Sequence, residues 1–179
     1  MITMTFTRHL LFLLVLANLA VAQACPSPPS CPSEPCTYIC PQGWTFSPST
    51  KFCYTVDLPF DGFNFTVAEN LCQLKGGHLA SIHTDAENQF IIDLVQNQVG
   101  AGQIWTGLYV DPVTKVFKWT DGCLVDYAHW NKSTPICIGQ SFKCTQIRVQ
   151  INKGENFLWE LVDCAKVIRP LVCKKAPQN

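Results

Sequence analysis

An excess of charge of either sign is absent from this sequence: thirteen Lys and Arg balance thirteen Asp and Glu, for a formal net charge of zero. Without a basic excess, a nucleic-acid partner loses its main driving force, the neutralisation of phosphates. Runs of like charge are also missing, so there is neither an acidic tail nor a polybasic membrane patch. No apolar stretch reaches the roughly 20 residues of a spanning helix. Signatures of catalysis are lacking as well: no His-Glu-x-x-His helix, no Gly-x-Ser-x-Gly elbow and no phosphate-cradling Gly loop. The histidines are His9, His78, His83 and His129, and neither His83 nor His129 has a motif partner nearby. Cys-x-x-Cys pairs, the usual spacing of zinc ligands, do not occur. The expectation is a chain that is not an enzyme, carries no cofactor, and has neither a nucleic-acid partner nor a membrane span.

What is present begins at the N-terminus. Arg8 and His9 precede a 13-residue apolar stretch, Leu10 to Ala22, interrupted only by Asn18. Small residues follow as Ala22-Gln23-Ala24. A charged start, a short apolar core and an Ala-x-Ala site describe a signal peptide over residues 1–24. Cleavage after Ala22 fits equally, through Ala20-Val21-Ala22. The expected location is secreted, extracellular. Eleven cysteines in such a chain read as a disulfide framework. The odd count leaves one thiol free or paired with another chain, which opens a disulfide-linked dimer.

Residues 25–39 are mostly Cys, Pro and Ser and read as a stiff, extended leader. A single domain is expected from Cys40 to Lys175, with a short tail at 176–179. Thr66-Val67-Ala68-Glu69 has the pattern of a capping box opening a helix that Gly76-Gly77 stops. Thr84-Asp85-Ala86-Glu87 repeats it for a second helix ending near Gly100. Strands are expected at Ile104–Val110, Val116–Trp119, Ile147–Ile151, Phe157–Trp159 and Leu171–Cys173, with a turn at Asn152–Asn156. Helices first and antiparallel strands after give an α+β layout. Thr120 to Lys143 shows no regular pattern, and loops of that length are often functional.

Cys40-Pro41-Gln42-Gly43-Trp44 with Cys53-Tyr54, then Gly77-His78-Leu79-Ala80-Ser81-Ile82, Trp105-Thr106-Gly107-Leu108, and Trp159 five residues before Cys164 resemble the C-type lectin-like domain in its long form, as found in secreted invertebrate proteins. The resemblance implies two helices packed beside antiparallel sheets, a long irregular loop and a cysteine map. In that map Cys72 pairs with Cys173, Cys144 with Cys164, and Cys40 with Cys53. Cys123 and Cys137 are left to bridge within the long loop. Cys25, Cys31 and Cys36 in the leader then form one local pair and one odd thiol, or link chains.

Sugar-binding members of that family hold calcium with a Glu-Pro-Asn or Gln-Pro-Asp triplet in the long loop and with the Asn-Asp of a Trp-Asn-Asp strand. Calcium needs several oxygen ligands. Counted from Trp130, the triplet here is Thr134-Pro135-Ile136, and Glu160-Leu161 replaces Asn-Asp. No Asp or Glu lies between Cys137 and Cys144. These positions form a degenerate sugar site in which only Glu160 offers a carboxylate, so no metal is expected there. Asn131-Lys132-Ser133 and Asn64-Phe65-Thr66 are N-glycosylation sequons, and a glycan on Asn131 would crowd the loop surface. His78 is read as structural. Trp105, Trp119 and Trp159 are read as core, and Trp130 as loop packing or a ligand contact. The function expected is recognition of an extracellular glycan or glycoconjugate without calcium, in defence or surface recognition; the alternative is a protein-binding module that has lost sugar binding.

Overall fold

In the computed structural model, residues 25–28, 30, 37–131, 142–150, 157–168 and 170–178 are described. Strands β1 (Thr45–Ser47) and β2 (Phe52–Asp57) form a hairpin whose turn holds Lys51 at positive φ. Helix α1 (Phe65–Leu74), the short β3 (His78–Leu79) and helix α2 (Asp85–Gln98) follow. Then come β4 (Gly102–Val110), β5 (Phe117–Trp119), β6 (Phe142–Val149), β7 (Trp159–Asp163) and β8 (Leu171–Lys175). They make one sheet in the order β1-β2-β8-β4-β6-β7, with β3 beside β8 and β5 beside β4. Among the described residues, the named strands pair antiparallel except β4 with β8, which meet in a parallel bridge of Trp105 with Leu171. The α+β expectation holds. The expected turn at Asn152–Asn156 lies outside the described residues.

Strand β4 sits at the centre and shows why there are two cores. Alternate side chains point to opposite faces of a strand. Ile104 and Leu108 join Ile91, Ile92 and Val95 of α2, with Ile147 and Trp159, in one cluster. Trp105 joins Phe65, Ala68 and Cys72 of α1, with Leu171 and Cys173, in the other. Phe65 meets Trp105 edge-on, with ring centroids 5.6 Å apart, and the Trp105 indole donates to the Phe63 carbonyl.

The helix caps differ from expectation in an informative way. The N-cap of α1 is Asn64, not Thr66: its Oδ1 accepts from the Val67 N–H at 3.0 Å. Glu69, expected to reach back over the first turn, is buried instead; it accepts from the Leu79 N–H and from Gln73 Nε2, and its Oε1 lies 2.6 Å from His78 Nδ1. A carboxylate can serve the cap or the neighbouring strand, and the buried β3 amide takes it. Thr84 does cap α2, accepting from the Glu87 N–H at 3.1 Å. Glu87 itself reaches one residue past the cap, to the His83 N–H at 2.8 Å.

The bridges Cys40–Cys53, Cys72–Cys173 and Cys144–Cys164 are present. The expected pair Cys123–Cys137 is not: Cys123 bonds Cys25. Asp121 and Cys123 at the start of the long loop, with Gly122 at positive φ between them, line one cleft with Cys25, Pro26, Phe52 of β2 and Lys174 of β8. Described residues at both ends of the 25–39 segment contact the domain. Cys25 is tied to Cys123, Tyr38 stacks on Phe46, and Ile39 pairs with Gln178. Cys31, Cys36 and Cys137 lie outside the described residues.

Candidate functional site: the surface at the base of the long loop

Two backbone bonds fasten the long loop to β7. His129 accepts from the Trp159 N–H at 2.9 Å, and the Asn131 N–H donates to the Trp159 carbonyl at 3.1 Å. Trp130, between them, forms a parallel bridge with Trp159. Trp159 is fully buried and donates its indole N–H to Asn88 of α2 at 2.9 Å. That anchor fixes a cluster of rings above it. Trp130 meets Trp159 edge-on at 5.6 Å and lies 5.3 Å from Phe117; Tyr127 also meets Trp159 edge-on at 5.6 Å. Trp130, Phe117 and Tyr127 are only partly buried, so each keeps part of its side chain at the surface around buried Trp159. Trp130 is both loop packing and surface.

A polar edge borders the rings. Tyr127 donates its hydroxyl to Asp85 at 2.7 Å and stacks beside His129, whose Nδ1 is 3.8 Å from the same carboxylate. Burial, with Asp85 alongside, pushes the Tyr127 phenol above its ordinary range, so it remains a hydrogen-bond donor.

The strand half of the degenerate site is split between the two faces of the sheet. Trp159 and Leu161 share the face under the loop, because residues two apart in a strand point the same way. Glu160 faces the other way, paired across the ladder with Gln146. Its Oε2 accepts from Gln146 Nε2 at 2.8 Å and from the Arg148 guanidinium at 3.1 Å. Lys166 reaches Gln146 Oε1 at 3.3 Å. The described donors do not fit the calcium set that the resemblance implies. Leu161 offers no oxygen, and Glu160 already holds a cation of the protein's own. Thr134, Pro135 and Ile136 lie outside the described residues. Among the described residues, the one gathering of three possible metal ligands is Cys25, His83 and Cys123, and its sulfurs are bonded to each other.

The sequons fall at two kinds of place. Asn64 is the partly buried cap of α1, and Asn131 sits next to Trp130 at the anchored end of the loop. Sequence reasoning missed a third feature, a buried polar hub beneath the hairpin. Lys174 of β8 donates to Glu87 at 2.6 Å and to the Ser81 carbonyl and hydroxyl at 3.1 and 3.2 Å. The same Glu87 oxygen accepts from Tyr54 at 2.6 Å. Burial, and then the carboxylate beside it, push the Tyr54 phenol well above its ordinary range. The signal for this hub was a lysine within the apolar run Leu171-Val172-Cys173-Lys174, where a charge needs a buried partner.

Known proteins share both the sequence and the architecture. The Lectin C-type domain profile matches residues 62–175. C-type lectin 9a of Crotalus adamanteus is 36% identical over 146 residues, covering 78% of this chain and 83% of the relative. The type-2 ice-structuring protein of Brachyopsis segaliensis is 33% identical over 138 residues, covering 77% and 73%. Among solved structures, a calcium-independent type II antifreeze protein superposes with a TM-score of 0.66 at 30% identity, over 79% of this chain and 98% of that one. The two helices, the mixed sheet and the disulfides agree with that match, and the chain belongs to the C-type lectin domain family.

Proposed function

We propose that this protein is a secreted recognition module that binds an extracellular glycan or glycoconjugate without calcium, through the aromatic surface at the base of its long loop. The observation that carries the reading is the split of the strand half of the degenerate site. Glu160 pairs with Arg148 on one sheet face, while Trp130, Phe117 and Tyr127 present their rings on the other. A ligand at the rings is held by stacking and by the Tyr127, His129 and Asp85 edge. Aromatic faces with a polar rim suit amphipathic partners such as sugar rings. Secretion rests on the N-terminal signal-like segment and on four disulfides, which suit an oxidising compartment. A solved relative named as calcium-independent supports the metal-free part of the reading. Roles in defence or surface recognition belong to this proposal.

A second reading, a protein-binding module, is favoured by Leu124, 81% exposed, and the neighbouring Val125 at the start of the same loop. Exposed apolar side chains suit a protein partner.

A thermal melt in calcium and in chelator tests the metal-free claim. Binding to the native state alone raises the midpoint, so the expected difference is within about 1 °C. A calcium-dependent rise of several degrees overturns the reading. A glycan array run in chelator then tests the ligand class. Reproducible sugar hits support the proposal; none, with a protein partner captured through the loop, selects the second reading.

A further inference from the structure

On the side of the molecule where the leader is fastened, His83 stands between a carboxylate and a disulfide. Its Nδ1 lies 2.6 Å from Asp126 Oδ1. A ring nitrogen of His83 and the sulfurs of Cys25 and Cys123 all lie within 4.8 Å of one another. With Nδ1 engaged by Asp126, the other ring nitrogen, Nε2, is buried without a hydrogen-bond partner. The two sulfurs differ in access: Cys25 is exposed, while Cys123 is 5% exposed. The other three bridges each have at least one buried cysteine and none that is exposed. Among the described residues, no comparable gathering includes them.

We propose that the Cys25–Cys123 bridge is a covalent exchange site for thiols, with His83 placed to receive the leaving sulfur. An incoming thiolate attacks Sγ of Cys25 from its exposed side and forms a new S–S bond there. The Cys25–Cys123 bond breaks, and its electron pair leaves on Cys123 Sγ. The incoming thiol is oxidised into the mixed disulfide and Cys123 is reduced, so no further oxidant is needed. The imidazolium of His83, held at Nδ1 by Asp126, donates its Nε2–H to the departing thiolate; its extra proton comes from water. Exchange is governed by access to the attacked sulfur and by the stability of the leaving thiolate. A neighbouring imidazolium supplies that stability. Exchange would release Cys25 and Pro26 from a cleft of about 270 Å³ that they line with Phe52, Asp121 and Lys174. The nucleophile is a small thiol or a cysteine of a second copy, since eleven cysteines cannot all pair within one chain.

The test uses the full secreted chain and does not depend on the ligand of the aromatic surface. The protein is incubated with reduced glutathione and quenched by alkylation, and its adducts are mapped by mass. Glutathione is expected on Cys25 and the alkyl group on Cys123, at about tenfold the rate of any other bridge. His83→Gln is expected to slow this exchange about tenfold and leave the Cys40–Cys53 rate unchanged. A merely structural role would move all bridges together and lower the melting midpoint. Asp126→Asn, at a more exposed side chain, is expected to fall between. At high protein concentration without glutathione, a dimer linked through Cys25 assigns the second copy as the source; monomer that still takes up glutathione assigns the small thiol. Equal rates across the bridges, an adduct on Cys123, or an unchanged rate in His83→Gln overturns the proposal.

Discussion

Two glutamates written in similar local patterns, Glu69 and Glu87, serve different partners from those their spacing suggests, and the difference is energetic. A carboxylate on the first turn of an exposed helix gains about 1 kcal/mol from the cap. One that is buried must meet donors wherever they lie, because a charge without partners in the interior costs far more. Glu87 meets Lys174, Tyr54 and the His83 amide. Removing one partner leaves an uncompensated charge, so Lys174→Met should lower unfolding stability by about 3–5 kcal/mol in urea titration. The double variant with Glu87→Gln should lose less than the sum of the two single changes. Asn64 offers a test of a different kind, since it is both cap and sequon. Asn64→Ala should cost about 1 kcal/mol, whereas Asn64→Asp keeps a capping oxygen and should stay within a few tenths of wild type. Both changes remove the acceptor for a glycan, so the comparison separates the cap from the carbohydrate.

At the scale of elements, the β4–β5 hairpin depends on one side chain. Asp111 accepts from the Val113 and Thr114 amides and the Thr114 hydroxyl, and it pairs with Lys118 at 2.8 Å. The Lys118 ammonium first, and then the Thr114 bonds, hold its carboxyl far below the usual range. A depressed folded value means the contribution is fully present above the free Asp value of about 3.9 and is lost as pH falls below it. Amide exchange at Val113 and Thr114 should therefore accelerate as pH drops below about 4, after correction for intrinsic rates. In Asp111→Asn that step should vanish. The elements were largely legible in the sequence: both helices, and β4, β5, β7 and β8, lie within a few residues of the stretches that alternation and glycine stops suggest. Strand β6 begins earlier than expected, at Phe142, because its N-terminal half Phe142-Lys143-Cys144 is held by pairing with β7 rather than by clean alternation. The first helix cap was misplaced because Thr66 and Asn64 are both good caps, and only the tertiary use of Glu69 decides between them.

Across the whole molecule, what the sequence concealed was connectivity between distant segments. Cysteine spacing cannot state that Cys25 reaches Cys123, 98 positions away, because that pairing depends on where the leader lies against the folded body. The degenerate site was legible by residue type at Glu160 and Leu161, but not the face each would take, which follows from the β6–β7 register. The aromatic surface was half legible: Trp130 stood out, whereas Phe117 joined it only once β5 was placed beside β4.

Ile39 and Gln178 exchange both of their backbone hydrogen bonds, at 3.2 and 2.9 Å. The backbone at Ile39 and at Gln178 is therefore adjacent, far from the Trp130 rings in the connectivity of the sheet. A folded unit in which segments near its two ends meet can be joined across them without prying its sheet apart. For the same reason a short linker from 178 back to 39 should yield a circular permutant reopened at the Val113 hairpin tip, and the ring surface would then be displayed on a scaffold with new ends of the experimenter's choosing.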